Sequence, residues 1–299
     1  MFEKQTLHGA YFALSAYLFW GFIPIYFKFV DHVSPWEILC HRVVWSVILL
    51  MGILVYTKQL GALKVEARVI RRLLLTSALL SVNWLVYIYA IVNGNIVETS
   101  LGYFINPLVS VFLGVIFLSE RLRPLQWLAI VIAASGIAFQ LIYFGAIPWI
   151  ALTLAFSFGF YGLIRKNLNL PSVSGLALET TLILPFASLG LFWFYTTGNL
   201  DFGAVNLQTD ILLIMGGFIT SFPLLCFAAA VTRLSLTSIG MYQYIAPSLS
   251  LVLAIIVYDE PFGVDRIITF TCIWIALVIF TLETLYYHRK LSMRGVANA

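Results

Sequence analysis

The sequence is short of charge. Only 10% of its 299 residues are Asp, Glu, Lys or Arg, less than half the share usual in a soluble domain, which excludes a water-soluble globular protein. Histidine is scarce and scattered, at His8, His32, His41 and His288. The three cysteines, Cys40, Cys226 and Cys272, lie inside apolar runs without ligand spacing, so they read as small core residues and no metal centre is expected. No H-E-x-x-H, no G-x-x-x-x-G-K and no paired-Asp motif occurs. Metal hydrolysis and phosphoryl transfer therefore have no cradle, no cofactor is expected, and a membrane-embedded enzyme is the least favoured reading. The net charge of +4 is spread over short loops, which argues against nucleic acid as a partner.

Apolar sequence is abundant. With 62% hydrophobic residues and a mean hydropathy of +0.98, the chain has lipid as its main solvent. Ten apolar segments predict an all-α polytopic membrane protein: residues 9–30, 35–56, 73–92, 97–118, 124–142, 146–164, 173–195, 210–231, 236–257 and 267–286. If the N-terminus is cytoplasmic, most of the basic residues fall inside, namely Lys4, Lys58, Lys64, Arg68, Arg71, Arg72, Arg121, Arg123, Arg165, Lys166, Arg233, Arg289, Lys290 and Arg294. Only Lys28 and Arg266 fall outside, and Arg42 is within a span. The positive-inside rule thus predicts that both termini are cytoplasmic.

The chain repeats itself. Ile105, Pro107, Ser110 and Glu120 match Ile245, Pro247, Ser250 and Glu260 at a constant offset of 140. Leu14, Gly21 and Lys28 match Leu152, Gly159 and Lys166 at an offset of 138. Residues 1–145 and 146–299 therefore read as two five-span repeats, and an odd number of spans per repeat turns the second upside down relative to the first. Inverted repeats can exchange conformations around a midplane site, which is a transporter's logic.

The runs "NWLVYIYAIVNG", "SLGYFINPLVSVFLGVIFLSERL", "GLALETTLILP" and "SIGMYQYIAPSLSLVLAIIVYDEPF" resemble the RarD branch of the EamA-type drug/metabolite transporter superfamily, over almost the whole chain. The resemblance implies ten helices in two inverted five-helix repeats, a bacterial inner-membrane location and transport of small metabolites or drug-like compounds. Members of the branch are associated with chloramphenicol susceptibility, and related exporters handle amino acids.

Within the spans, polar residues mark candidate sites. Tyr103, Asn106, Pro107, Ser110 and Gly114 share one helix face. Two readings of it stand: close packing against a neighbouring helix through small residues, or the border of a cavity that satisfies the carbonyl Pro107 frees. Gln243, Pro247 and Ser250 repeat the construction, and both prolines suit helices that bend during transport. Asn83, Trp84 and Tyr87 form a polar turn in the third span. Glu37 reads as an interfacial side chain reaching water, whereas His41, Arg42 and Glu179 are ionisable groups at membrane depth and hence pathway candidates. At the 138 offset Glu179 corresponds to His41 and Thr180 to Arg42, so polar groups are expected at both mouths. A cation there would hold a substrate carboxylate, and a carboxylate held away from water would suit proton coupling; structural ion pairing is the rival role.

These readings converge on a secondary transporter in the bilayer, a monomer or homodimer acting on a small-molecule substrate, with export resting on the resemblance alone. A non-transporting receptor or scaffold is the alternative, and it leaves the inverted repeat without a purpose.

Overall fold

A computed structural model describes residues 2–93, 96–145, 147–258 and 263–297. Helices α1 (Phe2–Phe29), α2 (Pro35–Tyr56), α3 (Ala67–Val92), α4 (Ile96–Leu118) and α5 (Pro124–Phe144) form the first half. Helices α6 (Trp149–Leu168), α7 (Ser172–Thr196), α8 (Leu207–Val231), α9 (Leu236–Gln243), α10 (Ile245–Tyr258) and α11 (Val264–Ala297) form the second. No strand occurs among the described residues. In hydrocarbon every backbone polar group must be satisfied internally, and consecutive helices do this.

Local chemistry sets the ends. Pro35 and Pro124 open α2 and α5 in the first turn, where a missing N–H costs nothing. Asn206 and Ser235 accept from the backbone of Thr209 at 2.8 Å and Ser238 at 3.0 Å, capping α8 and α9. Gly145, at φ +73°, closes α5 in the left-handed conformation that glycine adopts freely.

Eight helices among the described residues are long and apolar enough to cross a membrane. The other two crossings are α6 and the α9–α10 pair. α6 is an interior helix ending in Arg165 and Lys166, with ten of its 20 residues buried. The predicted single span 236–257 is instead two helices broken at Tyr244, three residues before Pro247. Proline disfavours helical conformation in the residue before it and removes a donor, and here the helix restarts so that Pro247 falls in its first turn. The span holding Pro107 stays unbroken as α4.

Packing between the halves has its own symmetry. When α1 is exchanged for α6, α2 for α7, α3 for α8, α4 for α9–α10 and α5 for α11, the major contacts map onto one another. α4 packs on α6 as α10 does on α1, and α1 on α8 as α6 does on α3. α2 against α7, α4 against α9 and α5 against α11 are their own mates. The glycines carry this to atomic detail: a Cβ on Gly21 would stand 2.7 Å from Leu249 and one on Gly159 2.7 Å from Val109. Gly21 and Gly159 are 138 apart and Leu249 and Val109 are 140 apart, so the repeat seen in sequence is a repeated crossing in space. Two inverted five-helix repeats make up the fold.

Candidate functional site

Helices α2 and α8 approach at Gly216 and Gly217. A Cβ on Gly217 would come within 2.5 Å of the Trp45 backbone, and one on Gly216 within 2.9 Å of the Tyr26 hydroxyl and 3.2 Å of Arg42 Cγ, so glycine is what allows the crossing. Ser46 fastens it by donating to the Gly217 carbonyl at 3.1 Å. The crossing delivers Arg42 to Thr220. Arg42 Nε donates to Thr220 Oγ1 at 2.7 Å, and that hydroxyl spends its own proton on the Gly216 carbonyl at 2.8 Å.

Aromatic rings surround the guanidinium. It lies 5.7 Å from the Phe27 centroid and 5.6 Å from that of Trp84, within cation–π range. Tyr87 continues the wall, 6.4 Å from Phe27 and 6.5 Å from Tyr103. Among the described residues no carboxylate pairs with Arg42.

Tyr103 is 49% accessible, and its ring lies 6.5 Å from that of Tyr87. It stands on the face of α4 whose next members, Pro107 and Ser110, pack against Gly240 and Gln243 of α9. An accessible side chain on an inward face lines a recess. Arg42 lies seven residues into α2 (42−35), roughly 10 Å along the axis at 1.5 Å per residue. The recess is therefore on the half of the bundle that carries the α1–α2 and α3–α4 connections.

At the α6–α7 connection the space between α6 and α7 is filled by a buried pair. Glu179, also seven residues into its helix (179−172), has 0% exposure and faces Arg165 at 1% exposure, with Nε to Oε1 at 3.8 Å. Tyr161 donates to Glu179 Oε2 at 3.3 Å, and Ser77 donates to the Glu179 carbonyl at 3.2 Å. Gly175 leaves the space: a Cβ there would lie 2.1 Å from both terminal nitrogens of Arg165. Beside it, Lys166 donates to the carbonyls of Val231, at 3.0 Å, and Leu234, closing the end of α8.

A model of the EamA-like transporter family matches residues 7–142. Protein RarD of Escherichia coli (strain K12) is 43% identical over 98% of this chain and 100% of its own length. The chain belongs to the RarD branch of the EamA-like transporter family. An uncharacterized transporter of Vibrio cholerae serotype O1 is 45% identical over 95% of each chain. A solved crystal structure superposes with a TM-score of 0.72 at 17% identity, covering 95% of this chain and 99% of that one, which speaks for the fold alone. The protein is thus a multi-pass membrane transporter of the drug/metabolite superfamily.

In this RarD-branch chain the residues singled out in sequence divide into groups. Arg42, Trp84, Tyr87 and Tyr103 meet around one recess. Asn83, one turn before Tyr87 on α3, is instead spent on packing: its amide donates to the Leu154 carbonyl and to Ser157 Oγ, each at 2.9 Å, fastening α3 to α6. Ser110 donates to Gln243 Oε1 at 3.1 Å across α4 and α9, and Ser250 to the Gly21 carbonyl at 3.2 Å. Asn106 keeps a buried Oδ1 without a hydrogen-bond partner among the described residues. Pro107 presents its carbonyl where a Cβ on Gly240 would come within 2.6 Å. His41 faces away from Arg42, accepting from Trp45 Nε1 at 3.3 Å and lying 4.8 Å from the Phe202 ring. Glu260, the repeat partner of Glu120, lies outside the described residues.

Two sequence readings need correction. Glu37 does not reach water: it is 0% exposed, and its carboxylate accepts from the backbone N–H groups of Asp201, at 3.0 Å and 3.1 Å, and Phe202, at 3.0 Å. Its partners come from the α7–α8 connection, and that supplies what water would have supplied. Arg165 is not a loop charge, because the last turn of α6 turns it inward onto Glu179. Thr220, Phe27, Tyr26 and Tyr161 went unnoticed in the sequence because uncharged side chains within apolar runs carry no local signal. The 138 offset could have found Arg165, since it pairs with Phe27 of the recess.

Proposed function

We propose that this transporter exports small metabolites or drug-like molecules across the bacterial inner membrane by alternating access, with both termini cytoplasmic and residues 1–145 and 146–299 as the repeats that exchange conformation. Amino acids, other amphipathic or zwitterionic compounds and chloramphenicol-related compounds form its substrate panel. One observation carries the reading. Tyr103 is exposed and Arg42 part-exposed, whereas the corresponding depth of the other repeat is filled by Arg165, Glu179 and Tyr161. Two symmetric half-sites, one accessible and one filled by its own side chains, are what a protein caught in one of two alternating states presents. The match of the family model to 7–142, nearly one repeat, supports the division.

The test begins with purified protein and a metabolite and drug screen by ligand-dependent thermal stabilisation. Hits then go into proteoliposomes with imposed proton or sodium gradients. Saturable flux of a stabilising compound is the expected result. Conversion of the compound into a product would support an enzyme instead, and tight binding without any flux a receptor.

A further inference from the structure

Arg42 is a cation at membrane depth, where uncompensated charge is expensive and a partner is the rule. Arg165, the other arginine in the bundle interior, has its carboxylate in Glu179. Arg42 has only a hydroxyl on Nε, and that hydroxyl is already oriented by the Gly216 carbonyl. Its two terminal nitrogens have no hydrogen-bond partner among the described residues, and the side chain is part-accessible within the recess. Thr220 fixes the plane of the guanidinium, Phe27 and Trp84 flank it, and the free fork is left to whatever enters. A guanidinium fork matches a carboxylate in two parallel hydrogen bonds.

We propose that the recess binds a monocarboxylate with an aromatic or otherwise apolar body, the carboxylate on Arg42 and the body against the wall of Trp84, Tyr87 and Tyr103. Among the described residues no carboxylate pairs with Arg42 and the flanking groups are aromatic, so the recess offers no counter-charge for an ammonium group. An anion is therefore favoured over the zwitterion of the same skeleton. This narrows the substrate class of the transport reading and rests on that reading only for the route by which the ligand enters and leaves.

The experiment is titration calorimetry on the full chain in nanodiscs with matched triplets: phenylacetate, phenylacetamide and phenylalanine, and indole-3-acetate, its primary amide and tryptophan. In each triplet the carboxylate is expected to bind at least about tenfold more tightly than the amide, the range for a hydrogen bond to a charged group, and more tightly than the zwitterion. Arg42→Gln is expected to remove the preference, and Arg42→Lys, which keeps the charge without the fork, to retain part of it. Equal affinity for carboxylate and amide, tighter binding of the amino acids, absence of binding by every carboxylate, or a preference that survives in Arg42→Gln would each overturn the proposal. Proteoliposome flux of the same compounds separates the two readings: flux without anion preference sinks this site and leaves transport standing, while anion-selective binding without flux does the reverse.

Discussion

A single methylene at residue 175 decides whether the closed end of the bundle can form. Arg165 lies flat over Gly175 to reach Glu179, so Gly175→Ala is expected to eject the guanidinium and separate the pair. Breaking a buried pair from one side leaves an uncompensated charge, at a cost of about 3–5 kcal/mol, whereas replacing both partners with apolar residues is often neutral. We therefore expect Glu179→Gln to lower thermal stability in detergent sharply and Arg165→Met/Glu179→Leu to recover most of it. If Glu179→Gln is as stable as the parent and its flux has lost all pH dependence, Glu179 is a coupling group instead of a structural one. Sequence made one of these partners visible and hid the other. Glu179 and Arg42 stood out as charges inside apolar runs, but Arg165 borders a run beside Lys166 and passes for a loop cation. Glu37 was misread for a related reason: its partners are backbone N–H groups 164 and 165 residues away, and a backbone group has no sequence signature.

The helix crossings depend on small residues in register. Gly159 leaves room for Val109, and an added Cβ would stand 2.7 Å from Val109 Cγ1. Gly159→Ala should therefore overpack the α4–α6 crossing, at about 1–3 kcal/mol. Val109→Ala removes the clashing methyls, so the double variant is expected to be more stable than the sum of the two single changes, read as a coupling in a thermal double-mutant cycle. Strict additivity would mean that the crossing shifts as a body. The prolines behave differently from these glycines. Pro107 and Pro247 read as one repeated bend, but α4 runs through its proline whereas the ninth crossing breaks at Tyr244. Alanine is the better helix former, so Pro107→Ala/Pro247→Ala should insert normally and slow flux by stiffening both elements. Unchanged flux would reduce the prolines to packing residues. The break was illegible in sequence because position 140 residues apart predicts equivalence, while the two halves occupy different conformations of the same design.

Across the whole molecule the ten crossings and their pairing into two repeats were readable, since apolar length and a constant offset are long-range signals that survive loss of local detail. The recess was half readable: Arg42, Trp84, Tyr87 and Tyr103 stood out, whereas Phe27, Tyr26 and Thr220 are defined only by the packing that gathers them. The orientation proposed from the loop charges is checked at the α7–α8 connection. Ala204 is exposed there, while Asn206 is engaged as the cap of α8, so Ala204→Cys in a cysteine-free background is the cleaner reporter. It should react with an impermeant thiol reagent on intact cells; reaction only after lysis would reverse the topology.

The Glu37 clamp, and a like one made by Glu120, also bear on how the chain is made. Glu37 closes on Asp201 and Phe202, and Glu120 on Leu236 and Thr237, so each carboxylate emerges from the ribosome long before its donors do. At roughly 5–20 residues per second, Glu37 waits on the order of ten seconds for the 164 residues that separate it from Asp201. During that interval the nascent first repeat offers Glu37 only His41, 3.6 Å away one turn on in α2. Completion of the second repeat therefore supplies the backbone donors that Glu37 lacks until then.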